Sequence, residues 1–206
     1  MNYLKKSQLA IAIGTAVIAS AMSAPAFAAD INVVNVTASS TFYTYDVNNL
    51  INGSGLTGNL HSGDWWTKWI TNGTTTGTLT FDVGSTQFFG STTIWNYGTG
   101  CCGEGRSTKD LGISYSNDGL NFTNSTNVLL SQPQGDPFAG ETFGLNFNAR
   151  YVRFDLNSNY GDSYTGLSEV KFTAAVPEPE TYAMLLAGLG LMGAVVRRRK
   201  QKSMAA

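Results

Sequence analysis

The sequence predicts an all-β protein, an antiparallel β-sandwich, and three observations carry that expectation. Apolar residues alternate with polar ones at Leu79, Phe81 and Val83, at Leu111, Ile113 and Tyr115, at Val152, Phe154 and Leu156, and at Val170 and Phe172. That period of two belongs to strands with one buried face. Gly- and Asn-rich turns separate these stretches, and no long helical period occurs before the tail. Short strands joined in this way are expected to pack as two layers of sheet.

The elements follow in chain order. Lys5 and Lys6 open a basic start, residues 9–22 form an apolar run short for a membrane span, and Ala26-Phe27-Ala28 has the small-x-small form of a cleavage site. Residues 1–28 therefore read as a secretion signal peptide cut after Ala28, with a membrane anchor as the alternative. Ile31, Val33 and Val36 make an opening strand, and a polar, aromatic stretch leads to a turn between Val47 and Gly53. Gly55, Gly58 and Gly63 then surround the single histidine, His61, ahead of Trp65, Trp66 and Trp69. The strand at residues 78–83 is followed by the stretch at residues 92–122: a strand, a Gly-rich loop holding Cys101 and Cys102, a second strand, and Asn117-Asp118-Gly119. The last three residues adopt positive φ readily and turn the chain back at Leu120. Val128 and Leu130 mark a further strand, residues 133–144 a loop, and the strands near residues 152–156 and 168–172 close a domain spanning residues 29–175.

The tail, residues 176–206, is built differently. Val176-Pro177-Glu178-Pro179 precedes an apolar run at residues 182–196 and the cluster Arg197, Arg198, Arg199 and Lys200. As a helix this run spans about 22 Å against a hydrocarbon core of roughly 30 Å. It is expected to enter the inner membrane only transiently, with its basic end held at the cytoplasmic face; a plain membrane anchor is the alternative.

Charge limits the partners. Residues 30–180 hold six basic and fourteen acidic side chains, a net charge of about −8. Nucleic acid is excluded as a partner, because phosphate binding needs a cationic surface.

Candidate ligand groups lie in two loops. Trp65 and Trp66 either offer rings on which the C–H face of a sugar packs or fill the end of the sandwich core, whereas Trp69 reads as core. In an oxidising compartment Cys101 and Cys102, with no other cysteines, close a strained ring with each other or bridge to another chain. Arg106 and His61 complete the candidate set. Arg150 and Arg153 either face a ligand or pair with acids such as Asp155.

Two resemblances follow from these residues. Pro177, Glu178 and Pro179, the Gly-rich apolar run, and Arg197, Arg198 and Arg199 resemble the PEP-CTERM sorting signal of Gram-negative bacteria. The resemblance implies recognition by an exosortase in the inner membrane, cleavage near the motif, and release to the cell surface or an exopolysaccharide matrix.

The body resembles the discoidin, or F5/8 type C, family of galactose-binding-like jelly rolls. The matching residues are Leu50-Ile51-Asn52-Gly53, Thr67-Lys68-Trp69, the Leu79 to Gly84 stretch, Ile94-Trp95-Asn96, Ser116-Asn117-Asp118-Gly119, Ala149-Arg150-Tyr151-Val152-Arg153 and Leu167-Ser168-Glu169-Val170. It implies a non-catalytic module that binds glycans, lipids or proteins through loops at one end of the sandwich. It also implies a structural calcium held at Asn49, Asn52, Ser54, Thr67 and Glu169, all hard oxygen donors; Asn52 stands where the family has Asp. Cys101-Cys102 with Gly103-Glu104 is similar to the vicinal disulfide loop of fucose-binding F-type lectins. Here Gly98 and Gly100 replace that motif's Arg and Asp, and Arg106 falls one residue late.

Three functions are therefore expected in order: a secreted module that binds carbohydrate or exopolysaccharide, a structural matrix protein without a sugar site, and a glycan-active enzyme. No nucleophile elbow, Walker loop or metal-binding His pair supports the last, which would need paired carboxylates such as Asp64 and Asp162.

Overall fold

A computed structural model describes residues 28–100, 103–175 and 184–193. The strands are β1 (Asp30–Ile31), β2 (Asn35–Ala38), β3 (Leu56–Thr57), β4 (Leu60–His61), β5 (Trp69–Ile70), β6 (Gly77–Asn96), β7 (Asp110–Ser116), β8 (Thr123–Leu129), β9 (Phe138–Ala139), β10 (Glu141–Leu156) and β11 (Gly166–Ala174). Short 3-10 turns lie at Val47–Leu50, Trp65–Thr67 and Glu104–Arg106. The main sheet runs β1-β11-β6-β10-β7-β8, with β2 added to β6 and β5 to β11, and a small sheet pairs β3, β4 and β9. Every strand pairing is antiparallel.

The predicted sandwich is present, but it is built from fewer and longer strands than the alternation suggests. Residues 78–83 and 92–96 belong to one strand, β6, which pairs with β10 from Glu141 opposite Ile94 to Leu156 opposite Gly77. Register shifts between Gly144 and Phe147 and between Ala149 and Tyr151 bend this ribbon, as bulges do. Gly84, with φ of +80°, supplies a backbone shape that other residues adopt only under strain. The half of β6 near residues 77–82 lies in one layer beside β2, with β10 carrying β7 and β8; the half near residues 87–96 lies in the other beside β11.

The layers meet through aromatic rings. Phe172 of β11 stands with its centroid 5.3 Å from Phe81 and from Phe89, and 5.9 Å from Phe154. All four are fully enclosed, together with Leu79, Ile94, Leu111, Val152 and Trp69. Trp69 is core, as expected. Arg150 and Arg153 pair with acids: Arg150 donates twice to Asp82 at 2.9 Å, and Arg153 meets Asp155 at 3.2 Å. The Arg150 bonds hold the Asp82 carboxyl below the usual carboxylate range.

At the first and last strands the domain's two ends come together, where Ala174 donates its N–H to the carbonyl of Ala29 at 2.8 Å. Residues 184–193 form a short helix. Among the described residues no helix is long and apolar enough to cross a membrane.

Because Phe172 touches rings from both layers, Phe172→Ala is expected to cost about 3–5 kcal/mol of unfolding free energy, the usual penalty for removing a buried ring. Urea unfolding of the purified protein measures it; a loss below about 1 kcal/mol would mean that the layers do not meet at this ring.

Candidate functional site

The loops that leave β6 and enter β5 meet at one end of the sandwich. Asn96, the last residue of β6, ties the neck of the loop that follows. Its side-chain amide donates to the carbonyls of Thr108 and Ser131 at 2.7 and 2.9 Å, and its Oδ1 accepts the N–H of Thr108 at 2.9 Å. Ser107 closes the neck further by donating its hydroxyl to the carbonyl of Tyr97. Tyr97 and Arg106 are thereby brought side by side although nine positions separate them.

Between these loops lies a cleft of about 270 Å³ lined by Tyr45, Gly63, Trp65, Tyr97, Thr99, Gly103 and Arg106. Trp65 is half exposed and packs on Tyr45 at 5.6 Å and edge-on to Trp66 at 5.7 Å. Arg106 lies over the rings of Tyr164 and Tyr97, at 5.3 and 6.0 Å, and its Nε donates to Asp162 at 3.3 Å. Burial pushes the Tyr97 phenol well above its ordinary value, so it stays neutral. Gly63 permits the close approach: a Cβ there would sit 2.5 Å from the Asp136 carboxylate and 2.9 Å from the Thr99 carbonyl.

Lys68 lies behind the cleft, fully enclosed. Its ammonium donates to the carbonyls of Ser62 and Asp64 at 2.9 and 3.2 Å and faces the rings of Phe138 and Tyr97 at 5.6 and 5.7 Å. Those two carbonyls belong to the turn that presents Trp65, so Lys68 braces one cleft wall. Burial pushes its pKa down to about 8, against the pull of Asp136 and Asp64.

The candidate residues divide. Trp65 and Arg106 come together in the cleft, and Trp66 flanks it. Cys101 and Cys102 lie outside the described residues, as do Pro177, Glu178, Pro179, Arg197, Arg198 and Arg199. His61 does not reach the cleft. Alternation along β4 turns Leu60 outward and His61 inward, where it stacks on Phe138 at 5.7 Å, bonds the carbonyl of Ser62, and is kept neutral by burial. Sequence reasoning missed Lys68, Tyr45, Tyr97 and Tyr164; a lysine between Thr67 and the core Trp69, in a body with six cations, was the available hint.

The five expected calcium donors come from three segments: Asn49, Asn52 and Ser54 from the turn that follows Val47, Thr67 from the 3-10 turn at Trp65–Thr67, where its hydroxyl donates to the Asp64 carbonyl at 2.7 Å, and Glu169 from β11. Asn49 donates to the carbonyls of Trp66 and Lys68 at 2.9 and 3.0 Å, and its Oδ1 accepts from Asn52 at 3.4 Å. Asn52 accepts the N–H of Ser54 at 2.7 Å. Glu169 reaches across from β11 to accept the N–H of Gly53 at 3.1 Å. Thr67 borders Gly55, whose Cβ would sit 2.8 Å from the Thr67 hydroxyl. Glu169 is enclosed, and burial pushes its pKa up to about 7. No cluster of three or more His, Cys, Asp or Glu able to hold a metal occurs among the described residues.

A bent antiparallel sandwich with an aromatic cleft between its end loops is the architecture of a discoidin-like binding module. The F5/8 type C domain matches residues 35–170, and the chain belongs to that family. The PEP-CTERM protein-sorting motif matches residues 175–200, a signal for sorting beyond the cytoplasm. The CBM32 of AlyQ, solved in complex with 4,5-unsaturated mannuronic acid, is similar at 24% identity and a TM-score of 0.51, covering 71% of this chain and 99% of that one. The lectin domain of lectinolysin, complexed with Lewis B antigen, shares 19% identity over 69% of this chain and 93% of that one, with a TM-score of 0.54. The family 32 CBM of C. perfringens NanJ, in complex with galactose, has a TM-score of 0.56 at 14% identity, covering 71% and 99%. No curated protein is significantly similar to the chain.

Lys68 yields a pH prediction. Above pH 8 the folded chain has released the Lys68 proton that the unfolded chain still holds, and raising the pH strips that proton from the unfolded chain alone. Folding then becomes more favourable as pH rises. In buffer with EDTA the wild-type melting temperature is expected to climb between about pH 8 and 9.5, and Lys68→Met to abolish the climb. A flat or falling wild-type profile would contradict a buried, weakly basic Lys68.

Proposed function

We propose that residues 29–175 act outside the cytoplasm as a non-catalytic carbohydrate-binding module, with an exopolysaccharide or surface glycan as partner. Delivery proceeds by removal of residues 1–28 and exosortase sorting at Pro177-Glu178-Pro179 within residues 176–206. The cleft itself is the supporting observation: Trp65 supplies an exposed aromatic face backed by the covered Tyr45, and Arg106 supplies planar donors beside it. Sugar rings offer the complementary surface, apolar C–H faces and an equatorial belt of acceptors. The sugars held by the similar AlyQ, lectinolysin and NanJ modules support the same class of ligand. At about 270 Å³ the cleft lies at the small end of ligand pockets and has room for a single sugar unit.

A structural calcium is part of this proposal. The donor types are chemically suitable for it: neutral side-chain oxygens of Asn49, Asn52, Ser54 and Thr67, and one enclosed carboxylate, Glu169, which accepts the N–H of Gly53. Bound there, calcium supplies a fixed positive charge that compensates the buried carboxylate and pins the turn behind Trp66. With one formal negative charge in the set, weak affinity is expected.

Two outcomes test these proposals. On a glycan array the purified protein is expected to bind selectively, with Trp65→Ala and Arg106→Ala each weakening binding about tenfold or more. A folded wild type that binds no sugar and self-associates would instead be a structural matrix protein. Calcium is expected to raise the melting temperature of the wild type relative to EDTA, as for any ligand of the folded state, and to leave Glu169→Gln unmoved; equal melting with calcium and with chelator would remove the metal from the proposal.

A further inference from the structure

The cleft continues into an aromatic surface built on the turn at Phe42–Tyr45. Phe42, anchored by its N–H to the carbonyl of Ile70 at 3.1 Å, begins a tight turn closed by the N–H of Tyr45 on the Phe42 carbonyl at 2.9 Å. Tyr43 occupies the first central position with φ of +45°, the one non-glycine residue at positive φ among the described residues. Glycine adopts that shape without strain and tyrosine does not. Its ring is nevertheless 92% exposed, more than any other large apolar side chain described. Apart from its contact with Phe42 the ring packs on little, so burial does not offset the strain of a tyrosine at this turn.

Ring contacts connect this position to the cleft. Tyr43 lies 6.3 Å from Phe42, Phe42 lies 6.1 Å from Tyr45, Tyr45 lies 5.6 Å from Trp65, and Trp65 lies 5.7 Å from Trp66. Phe42 and Tyr45 are the more covered members, whereas Tyr43, Trp65 and Trp66 face solvent. The exposed rings Tyr43 and Trp65 are joined through the two covered rings, Phe42 and Tyr45, and so stand at most about 18 Å apart, whereas Trp65 and Trp66 touch directly. No cation or carboxylate belongs to this row.

We propose that Tyr43 is a second sugar-stacking subsite, so that the module takes several consecutive units of a polysaccharide chain across Tyr43, Trp65 and Trp66 rather than one terminal sugar. The proposal rests on the carbohydrate reading of the cleft and adds the length of its ligand. Stacking on an exposed ring tolerates many sugars, because each pyranose has an apolar face; chain length is then read more strongly than sugar identity.

Titration calorimetry of the purified protein with mannuronate and galactose oligosaccharides, from disaccharide to octasaccharide, tests it. For whichever series binds, wild-type affinity is expected to rise with length. Tyr43→Ala is expected to remove that rise, about tenfold for the longest member, while leaving disaccharide affinity within about twofold; Tyr43→Trp restores it. A length dependence unchanged in Tyr43→Ala, with binding still lost in Trp65→Ala, overturns the subsite and leaves the cleft standing. Failure of the wild type to bind either series at any length overturns both. Tyr43→Gly supplies a readout without sugar: it is expected to melt no lower than wild type, because it relieves the positive φ, and a drop of several degrees would show that the ring holds the turn together and overturn the proposal.

Discussion

The ladder between β6 and β10 is the constraint on which the rest of the molecule depends. Its backbone hydrogen bonds run through both layers, so neither layer exists apart from the other, and the bulges that bend it decide where the layers face each other. Phe81 and Phe154 in one half, and Phe89 with its neighbour Phe172 in the other, are carried to the same interior point by that bend. Apolar burial then supplies the driving force, while the ribbon supplies the geometry in which it acts.

The cleft inherits its shape from the same ribbon. β6 ends at Asn96, whose amide is satisfied by the carbonyls across the neck, and this fixes Tyr97 beside Arg106 without help from secondary structure. On the facing side a buried ammonium does comparable work for the turn that carries Trp65. A charge enclosed between two aromatic faces and two carbonyls is costly to desolvate and costly to leave unpaired. The turn is therefore held by a group whose removal would strand both carbonyls.

Sequence made the strands legible because alternation reports directly on which face is buried, as at Leu79, Phe81 and Val83. It hid the continuity of β6, since Gly84 and the run of polar residues after it look like a turn when their partners in β10 are unknown. Trp65 and Arg106 stood out as aromatic and cationic residues in Gly-rich loops, and both line the cleft. His61 stood out equally and is enclosed, because a two-residue strand turns it inward, a fact set by its pairing with β3 and β9. Tyr45 and Tyr97 were illegible for a related reason: their roles are defined by residues from distant loops, and no local pattern marks them, while Lys68 is marked only by its place between Thr67 and the core Trp69. Glu169 could be joined to Gly53 only through the family resemblance, for the two lie on opposite sides of the chain's length.

Ala29 and Ala174 meet at one end of the sandwich, and the cleft opens at the other. From Ala174 back to Leu167, which pairs with Asn96, β11 covers about 23 Å at roughly 3.3 Å per residue. A chain tethered through the residues that follow β11 would carry its cleft loops at the end far from the tether. Copies planted side by side would point their clefts the same way, like bristles, and one polymer strand could lie across several of them. Retention would then grow with the density of the lawn, and a modest grip at each tip would suffice.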